Sequence, residues 1–478
     1  MGITGLWKTV EPASSEHSLL NLATIEGYMR NPERRYLLLG VDMNLWIDSC
    51  QAAFQTAGLH THAGENPELR AFHFKLCRYL KLPVVLVFVP DGQGRPSVKR
   101  GRAVRSQPLW MGEYVQELVT AFGFYVHQAP GEAEAELAKL NSLGMIDSIL
   151  TDDSDTLVFG GESIIRSVPR SNNFDRILLY TADSIEHSDG VKLTRGGLLL
   201  FALLAGGDYD PGIDGCGAKT AHALAECGFG DTLLDAANSM SGTAMQAFLY
   251  GWREELRSEL ESNSRGHLNR QSPELAQKIT ADFPNLAVLD SYLNPLTSWS
   301  LESPNKIPNT ADWRSREPMI PRITAFCVQH FGWGRNHAVV KHFRAKLWEG
   351  VAFRMVCSPL IRYNSTTHKL ATPMANMVVL SHTTSKTLVS RSTPSRRLKI
   401  STRNFQALMG PCWADVLLEG SAIHVHVPTC ILEQSAASPV LKMHTEATAV
   451  ITNEIIDLTN SETEILDDDA EYFLLRDH

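Results

Sequence analysis

At 478 residues, with 44% hydrophobic and 20% charged content, the chain has the length and composition of an ordinary globular protein of two to four domains. No apolar run reaches the roughly 18–20 residues that a bilayer crossing needs, and the start, Met1 to Lys8, reads as neither a signal nor a transit peptide, so no membrane partner is expected. The eight cysteines are scattered with no C-x-x-C pair, which speaks for reduced intracellular thiols and against a zinc site or disulfide framework.

The net charge of −9 is unevenly spread. Glu454 to His478 holds nine acids and one base, whereas Gly350 to Ala414 holds nine bases and no acid. That asymmetry suits a body that binds nucleic acid and an acidic tail that does not, although charge runs are more often only solvated surface.

In chain order, Tyr36–Val41, Val84–Val89 and Ser148–Thr151 read as buried strands. Phe72–Leu82, Met111–Phe122 and Ala133–Leu143 read as amphipathic helices, the last beginning after Pro130 and stopping at Gly144. This alternation predicts a parallel sheet covered on both faces. From Leu198 to about Glu349 the pattern is helical, broken by a Pro- and Ser-rich stretch from Asn294 to Asn309. A β-rich basic module follows Gly350, and beyond about Glu419 the composition is that of a disordered tail. The expected divisions are an α/β core over 1–210, a helical region over 211–349, a basic module over 350–418 and the tail over 419–478.

Acids punctuate the ends of these strands. Asp42 follows Leu-Leu-Gly-Val, Asp91 follows Val-Phe-Val-Pro, and Asp153 and Asp155 follow Ile-Leu-Thr-Asp. Groups at the carboxyl ends of parallel strands converge on one crevice. Glu132 and Glu134 open a helix, and Asp208 closes an apolar run. Seven acids in one crevice repel one another unless cations hold them. Mg²⁺ is the natural partner, because it takes a few carboxylates together with water and substrate phosphate. Two such ions can activate a water and steady the leaving oxygen of a phosphodiester. Taken singly, each acid is more often structural: Glu132, Glu134 and Glu136 could complement a helix dipole, and Asp91 could cap a turn.

These motifs resemble the XPG/flap-endonuclease family, most closely its Holliday-junction-resolvase (GEN/Yen) branch. The resemblance is carried by the opening Met-Gly-Ile-Thr-Gly-Leu-Trp, by Gly-Val-Asp42, by Ala129 to Ala138, by Thr151 to Gly160 and by Ala205 to Ala221. It implies a PIN-like α/β fold, a parallel sheet flanked by helices, followed by a helix–two-turn–helix region and a small β-rich C-terminal module. It further implies that Asp42, Asp91, Glu132, Glu134, Asp153, Asp155 and Asp208 hold two Mg²⁺ ions, with Mn²⁺ as a substitute, and that hydrolysis leaves 5′-phosphate and 3′-hydroxyl ends. Lys99 matches the family's phosphate-gripping lysine with a small offset, and Arg105 stands in for its arginine partner. Gly2, Arg100 and Arg102 join Lys99 and Arg105 as DNA contacts. Gly212, Gly215, Gly217, Lys219 and Thr220 form a second DNA element, where backbone amides meet phosphate at a helix N-terminus and carbonyls offer a K⁺ site.

Two departures bear on the substrate. Pro90 precedes Asp91 where the family has an aromatic or apolar residue, and the interval from Asp91 to Glu132 leaves only a short basic segment, Arg95 to Arg105, where relatives often have a long helical arch. An unclosed gateway favours branched double-stranded DNA without free ends, such as a Holliday junction on which the protein dimerises. A replication flap endonuclease or 5′ exonuclease is the nearest alternative, though no clamp-binding motif is evident. A noncatalytic junction-binding scaffold is the alternative of another class. The basic stretch Val351–Met409 takes the place of a chromodomain-like module. In the tail, Ile455, Ile456, Asp457, Leu458 and Thr459 resemble a SUMO-interacting motif that adds a strand to a partner's sheet. These functions, with the weak basic run Arg396-Arg397-Leu-Lys399, point to the nucleus.

Overall fold

The computed structural model describes residues 2–55, 64–96, 98–99, 102–103, 110–169, 171, 173–334, 337–364, 369–384, 393–414, 416 and 422–434. Its main sheet has seven strands: β1 (Ser15–Ser18), β2 (Leu37–Asp42), β3 (Val84–Val89), β6 (Tyr125–Val126), β7 (Ser148–Leu150), β8 (Ser163–Ser167) and β9 (Arg176–Thr181). They lie in the order β1-β9-β8-β7-β2-β3-β6. The strands from β8 to β6 run parallel, while β9 and β1 are antiparallel at one edge. Between β3 and β6, β4 (Val98–Lys99) and β5 (Arg102–Ala103) make a separate short hairpin.

The strand side chains alternate between two cores, as a pleated sheet buried on both faces requires. Leu37, Leu39, Val41, Val84, Leu86 and Phe88 point to one side, and Leu38, Val85, Val87 and Val89 to the other. The second core contains α1 (Leu6–Val10) of the N-terminal segment, which is followed by α2 (Leu19–Leu22). The first core is built on α3 (Met43–Gln55), α4 (Pro67–Tyr79) and α5 (Gly112–Ala121). The second also takes α6 (Ala133–Ser142), α7 (Asp155–Val158), α8 (Ala182–His187), α9 (Arg195–Ala205), α10 (Ala218–Glu226), α11 (Phe229–Ser239), α12 (Gly242–Ser262), α13 (Pro273–Gln277) and α14 (Leu286–Leu293). The chain then crosses back, and α15 (Ile320–His330), α16 (Ala338–His342) and α17 (Trp348–Val356) pack on α4 and α5 in the first core. No helix among the described residues is long and apolar enough to cross a membrane.

Several boundaries differ from the sequence reading. α4 begins at Pro67 rather than Phe72, because Pro67 is preorganised for the first helical position and Glu68 follows it in the first turn. The helical pattern does not stop at Glu349, since Gly350 lies inside α17 against Leu80. β1, β8 and β9 escape notice in the sequence because they are short and partly polar.

The C-terminal sheet has five antiparallel strands, β10 (Arg362–Asn364), β11 (Lys369–Ala371), β12 (Asn376–Thr384), β13 (Ser395–Ser401) and β14 (Ala422–Pro428), in chain order. The last of these lies in the stretch the sequence reading gave to the tail; its buried Ile423, Val425 and Val427 alternate with half-buried or exposed His424 and His426. The module does not stand apart, because Leu370, Met377, Leu398 and Val425 share one core with α17, where the Trp348 and Phe405 rings are 5.4 Å apart.

Candidate active site

β2, β3 and β7 each deliver an acid to the same end of the sheet. Asp42 ends β2, Asp91 lies just beyond β3, and Asp153 lies between β7 and α7, which Asp155 begins. Glu132 is the residue before α6, Glu134 lies in that helix's first turn, and Asp208 follows α9. Asp42, Glu132, Asp153 and Asp155 are each no more than 5% exposed.

Local hydrogen bonds set the directions of these carboxylates. Leu45 N–H donates to Asp42 Oδ1 at 2.9 Å, which turns α3 away from β2. Asp155 N–H donates to Asp153 Oδ1 at 3.0 Å. Ala133 N–H donates to Asp91 Oδ1 at 3.0 Å, so the acid at the end of β3 satisfies the first amide of α6. Glu132 makes no cap bond of its own. It is paired instead with Lys99 and accepts a hydrogen bond from the Tyr209 hydroxyl. The helix-dipole reading is therefore insufficient for Glu132, whose carboxylate faces the other charges.

The cations sit among the acids. Lys99, on β4, ion-pairs with Glu132 and approaches Asp208 at 3.4 Å. Arg95 Nη1 donates to Asp91 Oδ2 at 2.8 Å, and Asn44 Nδ2 reaches the same oxygen at 2.8 Å. Burial works against the charge of Lys99, yet Glu134, Glu132 and Asp208 together hold its ammonium above its ordinary range. Burial and the neighbouring Asp91 push the Asp42 carboxyl up to about 8. Burial, then repulsion from Asp42, holds Glu134 well above the carboxylate range; burial, then repulsion from Asp153, does the same to Asp155.

Those shifts describe a site short of positive charge. Glu134 Oε2 and Asp155 Oδ1 are buried and have no hydrogen-bond partner. Such groups are costly to bury unless a counter-ion reaches them. Among the described residues no three His, Cys, Asp or Glu side chains converge closely enough to hold an ion as they stand. Lys99 and Arg95 meanwhile pair with carboxylate oxygens of Glu132, Asp208 and Asp91. An all-oxygen donor set with orphaned carboxylate atoms fits a hard divalent ion.

The N-terminal segment closes one side. Ile3 N–H donates to Ser154 Oγ at 2.7 Å, and Trp7 Nε1 donates to the Asp152 carbonyl at 2.8 Å. Gly2 has φ +90°, and a Cβ there would lie 2.3 Å from Asp153 Oδ1 and 2.5 Å from Asp155 Oδ1. Only glycine fits both the dihedral and the space.

Residues 206–217 form the two-turn connection between α9 and α10. Ile213 N–H returns to the Leu204 carbonyl at 2.9 Å, and Gly212 N–H donates to Asp210 Oδ1 at 2.8 Å. Gly212 and Gly215 have φ of +79° and +87°; at Gly212 a Cβ would sit 2.5 Å from Gly206 N. Gly217 precedes α10, and the exposed Lys219 and half-buried Thr220 stand in its first turn. Arg102 belongs to the β4–β5 hairpin by its backbone. Arg100, Arg105 and Ile455 to Thr459 lie outside the described residues. Asn44, Arg95 and Tyr209 were missed as site residues; each is close in sequence to an assigned acid, which is the one signal that could have found them.

A parallel sheet with acids at its carboxyl ends, a lysine among them and a helix–two-turn–helix beside them is the XPG-type nuclease fold, and the chain is similar to proteins of the XPG/flap-endonuclease family. Residues 123–208 match the XPG I-region. The likeness extends to the GEN branch. It is 29% identical over 264 residues to the human flap endonuclease GEN homolog 1, covering 51% of this chain and 27% of that protein. It is 31% identical over 252 residues to the rice flap endonuclease GEN-like 1, covering 46% and 37%. The chain thus spans well under half the length of these curated relatives. A eukaryotic junction-resolving enzyme GEN-1 with bound cesium superposes with a TM-score of 0.72 at 25% identity, over 94% of this chain and all of that one. The Holliday junction-resolving enzyme GEN1 in complex with product DNA and Mg²⁺ superposes with a TM-score of 0.69 at 25% identity, over 93% and 99%.

Proposed function

We propose that the chain is a structure-specific DNA endonuclease that hydrolyses phosphodiesters in branched DNA, Holliday junctions foremost, leaving 5′-phosphate and 3′-hydroxyl ends. The observation that carries this reading is the crevice of seven acids in which two buried carboxylate oxygens lack partners. Asp42, Asp91, Glu132, Glu134, Asp153, Asp155 and Asp208 would hold two Mg²⁺ ions, or Mn²⁺ in their place, which when bound supply an activated water and a counter-charge for the leaving oxygen.

The chain's own groups have distinct tasks. Lys99 stands among the acids as a cation that can turn to the scissile phosphate and steady its developing charge. Gly2 lets backbone, rather than a side chain, approach the acids. The amides at the start of α10, with Lys219 and Thr220, grip a phosphate further along the duplex, where carbonyls of the 206–217 turn offer a K⁺ site. Such contacts position DNA without reading its sequence. The basic sheet formed by β10 to β14 adds a further DNA contact, in the place of a chromodomain-like module. The short β4–β5 hairpin supports an open gateway that needs no free end, and a dimer on the junction gives paired cuts. Nuclear localisation follows from such an activity. Ile455 to Thr459 is proposed to bind SUMO, which deletion of that segment tests directly.

The deciding test is Mg²⁺-dependent cleavage of matched Holliday-junction, 5′-flap and linear substrates, with Asp153→Asn as control. Paired symmetric nicks lost in the variant support the reading. Flap cutting alone moves the protein to the flap-nuclease alternative, and tight binding with no cutting leaves a scaffold.

A further inference from the structure

Behind the β6 edge of the main sheet a buried cation has no anion. Arg354 lies in α17 and is 3% exposed, yet its Nε and Nη2 have no hydrogen-bond partner. Among the described residues its guanidinium makes one hydrogen bond, from Nη1 to Ser315 Oγ at 3.2 Å, and lies 5.4 Å from the centre of the Phe124 ring. Burial pulls Arg354 down to about 10 from its ordinary 12.5, against a smaller influence of the Cys357 thiol and the Tyr125 phenol, neither of them a carboxylate. A ring face offsets only part of what burying an unpaired charge costs. Unused donors on a planar cation fit an oxyanion better than a neutral ligand.

The segment over this arginine supplies a hydroxyl and further positive charge. Trp313 to Met319 has no regular secondary structure and is pinned at both ends: the Tyr36 hydroxyl donates to the Trp313 carbonyl at 2.5 Å, and Met319 N–H donates to the Ala121 carbonyl at 2.7 Å. Ser315 is half-buried between the exposed Arg314 and Arg316. Arg314 Nε donates to the Ala311 carbonyl at 2.8 Å, and the Arg316 guanidinium lies 4.6 Å from the centre of the Tyr125 ring, so both charges remain without an acid among the described residues. Of the two acids nearby, Asp312 is exposed, and Glu317 accepts a hydrogen bond from the Thr372 hydroxyl at 2.5 Å. Tyr36 precedes β2 and Asp42 ends it, so Ser315 stands at the opposite end of the sheet from the acid crevice.

We propose that Ser315 is a phosphorylation site whose phosphate is received by Arg354, with Arg314 and Arg316 at the rim. In the transfer, Ser315 Oγ bonds the γ-phosphorus of a nucleoside triphosphate as that phosphorus parts from its β-bridging oxygen. The hydroxyl proton passes to the base of the transferring kinase, and nucleoside diphosphate leaves. Arginines on either side of Ser315 suit a serine kinase that binds basic flanks. The product carries a charge of about −1.5 to −2 and three acceptor oxygens, the partners that a guanidinium takes in pairs. An exposed serine among arginines would gain only a screened contact, whereas here the phosphate answers a buried charge. Because α17 shares its core with the C-terminal sheet, the modified serine fastens that module to the β6 edge.

The test compares the full chain carrying phosphoserine encoded at position 315 with the unmodified chain, in buffer free of phosphate and sulfate. The melting temperature is expected to rise by about 4 °C, and the gain to fall below about 1 °C in Arg354→Met. A phosphorus NMR titration reads the same contact without any substitution at Arg354. The second ionisation of the phosphoserine should lie about one pH unit below its ordinary value near 6, because the buried cation favours the dianion. Treating the unmodified chain with serine kinases that bind basic flanks and ATP should place phosphate on Ser315 by tandem mass spectrometry, and Ser315→Ala should lose it. No melting gain, an unshifted phosphorus titration, or no phosphate at Ser315 from any such kinase overturns the proposal. So does an Arg354-dependent stabilisation by inorganic phosphate with none from phosphoserine, which would make this a site for the free ion. None of these readouts depends on DNA cleavage, so the endonuclease reading stands or falls separately.

Discussion

Two glutamates on α6 lie two residues apart, Glu136 fully buried and Glu134 half-buried with its Oε2 enclosed, yet their surroundings differ completely. Glu136 is fully buried and fully answered: His127 Nε2 lies 2.7 Å from it, and the Ser298 amide and hydroxyl donate at 2.8 and 2.6 Å. It fastens the Pro- and Ser-rich segment to the helix that presents the acids. Glu134 faces Asp42, Asp91 and Asp153 with Lys99 as the one cation acting on it there, and its Oε2 has no hydrogen-bond partner. A buried acid whose hydrogen bonds are complete belongs to the architecture. One left unsatisfied among like charges is held there at a cost, and a site that recruits cations gives that cost a purpose.

The contrast is best broken by exchanging the two acids' fates. Glu134→Gln should lower the rate of Mg²⁺-dependent junction cleavage by about 10³-fold while leaving the fold intact, as single-turnover kinetics and melting would show. Glu136→Ala should do the reverse, destabilising the protein by about 3 kcal/mol in denaturant titration through the donors it orphans. Its cleavage should recover at temperatures where it remains folded. A rate defect in Glu136→Ala as large as that of Glu134→Gln would erase the distinction.

A subtler consequence concerns stability without divalent ions. Asp155→Asn should raise the melting temperature by several degrees, on the order of 1–2 kcal/mol, because it removes a repelling buried charge. Because the folded protein holds Asp42 at about 8, above its ordinary 3.8, stability should fall as pH rises across that interval. Added Mg²⁺ should restore it in the unaltered chain more than in Asp155→Asn.

The first core supplies a control of opposite sign. His73 is buried amid Phe122, Phe331, Trp333 and Phe343, and burial, with a smaller contribution from His342, pushes it down to about 3. Stability should therefore be lost as pH falls from about 6.5 toward 3, and His73→Leu should flatten that acid limb in pH-dependent melting. The smallest effect is expected at the rim, where Lys219→Ala should weaken junction and linear duplex alike by a few fold and lower the salt slope of binding by about one.

Much of the site was legible from local pattern. Apolar runs ending in acids placed Asp42, Asp91 and Asp153 at strand ends because hydrophobic burial and strand direction are local properties. The seven acids do gather at one end of the sheet. What stayed hidden has long sequence separation: Tyr209 meets Glu132 across 77 residues, and Ser298 meets Glu136 across 162. The strand β14 fell beyond the expected module edge at 418 for a related reason, since its apolar residues are interrupted by histidines and its pairing is with β13, well back along the chain.

By itself, then, the sequence determined the α/β class, the order of the acids along the chain and the basic and acidic distribution of charge, because periodicity and composition are written residue by residue. Tertiary structure alone decided which carboxylates are satisfied, that Lys99 and Arg95 stand among them, that the C-terminal sheet shares the first core, and that Arg354 is buried against Ser315 with donors to spare. Those outcomes depend on which surfaces meet in space, where the balance between desolvation and new contacts is struck.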